Sequence, residues 1–148
     1  MKKTLFILVI LAIISLTFSS CFIFKRAPTG FIKTNDPGWS SIVIRDGLKF
    51  DKAFDAVLDV VAKRFEMDVI SKEGAYGRSQ WSYRWGVDGG SDYRTRVIFK
   101  FSPDKTKVDV KTEAEWRKGV SNWQTGFDTR LLETVKQDIM GVVSRVTM

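Results

Sequence analysis

Histidine is absent from the 148 residues, and cysteine occurs once, at position 21. Without an imidazole there is no base for a Ser-His-Asp or Cys-His nucleophile. The same two counts exclude a zinc site built on thiolates and imidazoles. A single thiol allows no intramolecular disulfide. Proline is scarce as well, with three residues, and Pro28 and Pro37 account for two of them. What is abundant excludes a disordered chain: 44% of residues are hydrophobic and 28% charged, the composition of a folded protein. The length suits one domain. Lysine and arginine exceed aspartate and glutamate by 24 to 17, a net +7.

Apolar length is concentrated at the start. Met1-Lys2-Lys3-Thr4 is basic, and Leu5 to Phe18 (LFILVILAIISLTF) is apolar. Ser19, Ser20 and the only cysteine follow at once. A charged segment, an apolar segment and small residues before a cut site make a secretory signal. The run Phe18-Ser19-Ser20-Cys21 resembles the lipobox of bacterial lipoproteins, with Phe18 where that family usually has leucine. The resemblance implies a diacylglycerol on the Cys21 thiol, cleavage before Cys21, and a mature chain anchored on the exported side of a bacterial cell membrane or outer membrane. Cleavage there removes residues 1–20 with Lys2 and Lys3, leaving 22 basic against 17 acidic side chains, or +5. The alternative is an uncleaved anchor from Leu5 to Phe24, long enough to cross a bilayer and flanked by Lys2, Lys3, Lys25 and Arg26.

Residues 25–38 (KRAPTGFIKTNDPG) lack periodicity and hold Pro28, Pro37, Gly30 and Gly38. They read as loop, so residues 21–38 are expected to form a lipidated N-terminus and flexible tether. Residues 39–148 are then a single domain. Trp39 to Arg45 is rich in β-branched residues and reads as a strand. Asp51 suits a helix N-cap, and Phe54, Val57, Leu58, Val61 and Phe65 recur at helical spacing behind it. Four strand-like segments come next: Asp68 to Tyr76, Arg78 to Val87, Tyr93 to Phe101 and Lys107 to Arg117. The last three alternate with period two, the pattern of a sheet covered on one face. Residues 118–126 read as a loop. Phe127 to about Val146 reads as a helix with Leu131, Leu132, Val135, Ile139, Val142, Val143 and Val146 as its stripe. The expected fold is therefore α+β, one antiparallel sheet of about five strands with two helices packed on one face, in the order β-α-β-β-β-β-α. That order resembles TATA-box-binding-protein-like domains and the helix-grip domains of BamC-like lipoproteins. The resemblance covers element order only and carries no binding residue.

The chemistry-bearing candidates are few. Trp81, Tyr83 and Trp85 alternate in phase with the expected core face; exposed, they would make a stacking platform. Arg78, Arg84, Arg94 and Arg96 share the other face. They could bind anions, or pair across strands with Asp109, Glu113 and Glu115. Asp88 to Asp92 reads as a hairpin loop, with too few carboxylates for a calcium loop. Asp51, Asp55 and Asp59 read as a solvated helix stripe. Trp123, in a polar loop, is either a core plug or an interface anchor. The residues that could carry function are thus Cys21 for lipid attachment and Trp123, Arg84, Arg94 and Arg96 for an interaction surface. No catalytic residue, metal or cofactor is expected. The reading is a membrane-anchored, non-catalytic interaction or assembly module whose partner is another envelope protein rather than nucleic acid. A carrier or sensor holding a lipid or other apolar ligand between the helices is the alternative. An enzyme using carboxylates alone is the third option.

Overall fold

The computed structural model describes residues 26–83, 85 and 91–144. The expected leader, Cys21 and Arg84 lie outside that range, as do Asp88 and Val146. Seven strands and two helices form an α+β unit: β1 Phe31–Lys33, β2 Ser40–Val43, α1 Phe50–Ala62, β3 Met67–Ser71, β4 Tyr76–Ser79, β5 Tyr93–Phe101, β6 Lys107–Trp116, β7 Gln124–Asp128 and α2 Thr129–Val143. All strand pairs are antiparallel, in the order β1-β7-β6-β5-β4-β3. Strand β2 lies on the same side of β6 as β7. It covers the first half of β6, pairing Ser40 with Val110 and Val43 with Lys107, while β7 covers the second half.

The expected class holds, and the strand count does not. The two additional strands fall where the sequence reads as loop. Phe31–Lys33 lies in the stretch read as tether, and Gln124–Asp128 spans the end of the expected 118–126 loop and the start of the expected helix. The expected strand from Asp68 to Tyr76 is a hairpin instead. Its turn at residues 72–75 places Ala75 at φ 53°. The order is thus β-β-α-β-β-β-β-β-α, which departs from the β-α-β4-α pattern at both added strands.

The core follows the alternation. Val97, Phe99 and Phe101 of β5 meet Val108 and Val110 of β6, with Ile42 and Ile44 beside them. Helix α1 adds Phe54, Val57 and Val61, and α2 adds Leu131, Val135, Ile139 and Val143. Phe54 stands 5.7 Å from Phe99 and 5.8 Å from Phe101, ring centre to ring centre. Phe99 lies so close over Gly77 that a Cβ there would sit 2.4 Å from the ring, which explains a glycine in the middle of β4. Helix α1 starts at Phe50, one residue before the expected cap. Lys49 holds the cap position without a side-chain hydrogen bond, and Asp51 lies in the first turn, where its charge suits the helix dipole. Among the described residues no helix is long and apolar enough to cross a membrane.

Candidate interaction surface

The face of the sheet turned away from the helices carries most of the polar candidates. Strands β5 and β6 place Arg94 opposite Glu115 and Arg96 opposite Glu113. Each arginine uses its Nε and one terminal amino group on its own carboxylate. Arg94 reaches Glu115 at 2.8 and 2.5 Å, and Arg96 reaches Glu113 at 2.6 and 2.5 Å. Lys111 Nζ joins Glu113 at 2.8 Å. Cross-strand pairing is therefore the arrangement found, with Glu113 and Glu115 as the acceptors. Partial burial pushes the Glu113 pKa up. The hydrogen bonds and charges of Lys111 and Arg96 outweigh it, and the carboxyl is held below the ordinary range. That suits Glu113 to ion pairing rather than proton donation. For Arg94, desolvation acts against the charge. The contacts with Glu115 and Tyr83 prevail, and its pKa lies above the ordinary value.

Aromatic rings fill the spaces between these cations. The Arg94 guanidinium lies over two rings, Trp81 at 4.8 Å and Trp123 at 4.6 Å. Arg96 also stacks on Trp81, at 4.4 Å, and Arg117 on Trp123, at 4.6 Å. At the other end of the face, Trp39 receives Lys100 at 4.3 Å and Lys111 at 5.0 Å. Cation–π contacts of this kind combine Coulomb attraction with apolar cover for the flat guanidinium. The result is a strip of aromatic and charged side chains laid across the sheet.

The expected core placement of Trp81 is overturned by a bulge. Arg78 pairs with Ile98, whereas Ser82 pairs with Thr95, so four residues on one side span three on the other. The extra residue sits next to Ser79, whose buried hydroxyl accepts the Val97 N–H at 3.0 Å. Phase reverses past that point, and Trp81 lands on the arginine face. Tyr83 is 41% exposed, and its hydroxyl accepts from Arg94 at 3.4 Å. Trp85 alone of the three packs partly against the core. Three of the four arginines expected on this face are there: Arg94 and Arg96 as described, and Arg78 bound to Asp68 at 2.6 and 3.0 Å; Arg84 lies outside the described residues. Trp123 is neither a plug in the helix-covered core nor isolated; it is one slab of the stack. Trp39, Lys100 and Lys111 were not signalled by the sequence, because the lysines look like ordinary solvated positions until β2 delivers Trp39 to them.

The remaining candidates are structural. Lys72 binds Asp55 at 2.9 Å and Asp51 at 3.5 Å, which ties part of the aspartate stripe to the β3–β4 turn. Arg64, in the turn after α1, binds Asp138 of α2 at 2.6 Å, and Val57, Val61, Val135 and Ile139 are all buried. Among the described residues no group of three potential metal ligands comes together. No protein-family model matches the chain, and comparison with curated proteins gives no match.

Proposed function

We propose that this protein is a lipid-anchored protein of the bacterial envelope. In this reading its body is a non-catalytic module that displays the aromatic–arginine strip to another envelope protein. The anchor rests on one observation, the lone cysteine placed directly behind a basic start, a fourteen-residue apolar run and a pair of serines. The display role is supported by the strip itself. Interfaces favour tryptophan, tyrosine and arginine held rigid before binding, and Trp81, Arg94 and Trp123 are held that way by stacking and by Glu115. Metabolic labelling with a radioactive fatty acid tests the anchor. Wild-type chain should incorporate label and begin at Cys21 by intact mass, and Cys21→Ser should do neither. Label on the serine variant, or an unmodified wild type that starts at Met1, would sink the reading. Crosslinking in native membranes, with Trp123→Ala as the comparison, tests the display.

A further inference from the structure

Strand β1 is one edge of the sheet and β3 the other, five strand spacings apart, or about 24 Å. The two edges differ in charge. Residues 26–34 (RAPTGFIKT), which form β1 and its approach, hold Arg26 and Lys33 and no carboxylate. Arg130 joins them from the first turn of α2. Its stem lies against Gly30, where an added Cβ would sit 2.9 Å from the Arg130 Cδ. All three cations are exposed, and none has an ion pair among the described residues. Glu133, one turn along α2, is engaged by Lys136 at 3.9 Å and Gln137 at 2.7 Å. The β3 edge has the other sign: residues 66–73 (EMDVISKE) carry Glu66, Asp68 and Glu73 against Lys72 alone.

The chain from Cys21 enters the body at the basic edge. Five residues lead from Cys21 to Arg26, a reach of at most about 18 Å. The entry is then fixed. The Phe31 N–H bonds the Pro28 carbonyl at 3.0 Å, and the Gly30 carbonyl holds Thr129 at the start of α2. We infer that the β1 edge binds the phosphates of anionic lipid headgroups through Arg26, Lys33 and Arg130, so that the sheet stands on this edge. This rests on the membrane attachment proposed above. In that orientation the acidic β3 edge points away from the bilayer. The sheet face that carries Trp81, Arg94 and Trp123 stands clear of the lipid, open to a partner.

The test uses the full chain in vesicles of phosphatidylethanolamine and phosphatidylglycerol, or of phosphatidylcholine alone. Lysines are acetylated with a water-soluble reagent, and the rate at each is read by mass spectrometry. Lys33 reports the β1 edge, and Lys63, exposed just ahead of β3, reports the far side. Lys33 should react about fivefold more slowly in the anionic vesicles than in phosphatidylcholine, the effect of one cation held at an anionic surface, and Lys63 equally fast in both. Arg26→Gln with Arg130→Gln should abolish the difference at Lys33; glutamine keeps the part of the stem that lies on Gly30. Equal rates at Lys33 in the two vesicle types overturn the inference. Equal slowing of Lys33 and Lys63 overturns it as well, because the body then adsorbs without orientation. The anchor is judged separately by intact mass. A chain without acyl groups sinks the lipoprotein reading. The comparison of Lys33 with Lys63 still judges the edge, because the apolar run from Leu5 to Phe24 then holds the chain in the vesicle.

Discussion

Asp128 is only 1% exposed, yet its carboxylate is fully engaged. One oxygen accepts the Leu131 N–H at 2.8 Å and caps α2, and the other accepts the Tyr93 hydroxyl. Its backbone carbonyl takes the Thr112 hydroxyl at 3.2 Å. Asp128→Ala removes the cap and orphans a buried phenol. Together these should lower stability by roughly 2 to 4 kcal/mol in urea unfolding. The partner side of this contact has a pH signature. Burial, then the bond to Asp128 and its charge, pushes the Tyr93 phenol far above its ordinary 10.0. A raised pKa means that the folded state keeps a proton which the unfolded chain releases once pH passes 10.0. The stabilisation is whole below that value and is lost above it. Tyr93→Phe should therefore be less stable at pH 8 and lose less than wild type between pH 9 and 11, as read from urea midpoints. From sequence this helix starts at Phe127, which places Asp128 inside it rather than at its cap. What assigns Phe127 to a strand is pairing with Ile32, a contact across the chain that no local pattern contains.

Among the elements, β5 and β6 were readable because one face of each is buried along most of its length, so alternation runs through nine and ten residues with breaks only at Ile98 and at Trp116. The short strands were not: β1 has three residues and β4 four, too few to establish a period. Beyond β4 the alternation of Trp81, Tyr83 and Trp85 is present in the sequence, yet the bulge at Ser79 uncouples it from the core. A one-residue slip costs little locally and changes face completely, which is why pattern alone misplaced Trp81. The β5–β6 ladder also carries an acid-sensitive contact. Because Lys111 and Arg96 hold the Glu113 pKa below its ordinary 4.5, the unfolded chain takes up that proton first as pH falls. The stabilisation is full above about pH 5 and declines below it. Glu113→Gln should lower stability at pH 7 and flatten the loss between pH 5 and 3. If both chains lose stability in parallel over that window, the ion pairs contribute nothing to acid sensitivity.

For the whole molecule, the segment that leads into β1 decides how the proposed anchor would hold the body. Residues 25–38 have the composition of a tether, but β1 turns three of them into the edge of the sheet. The Gly30 carbonyl accepts both the N–H and the hydroxyl of Thr129, at 2.9 and 3.1 Å, at the first turn of α2. Gly30 itself sits at φ +99°, a conformation that side chains other than glycine rarely adopt. Phe31 meets Tyr93 edge-on at 6.1 Å and Trp116 at 6.4 Å. The stretch read as tether is thus part of the fold from Gly30 onward, and in the proposed anchored protein a pull on Cys21 would be transmitted to the β1–β7 ladder and the start of α2. Phe31→Ala separates the two descriptions. A residue in a free tether contributes nothing to stability. A half-buried ring packed on Tyr93 and Trp116 should contribute about 2 to 3 kcal/mol, below the 3 to 5 kcal/mol typical of a fully buried phenylalanine. Urea unfolding of the full chain in detergent, followed by tryptophan emission, reads the difference directly. A midpoint equal to wild type would detach β1 from the fold and restore the longer tether.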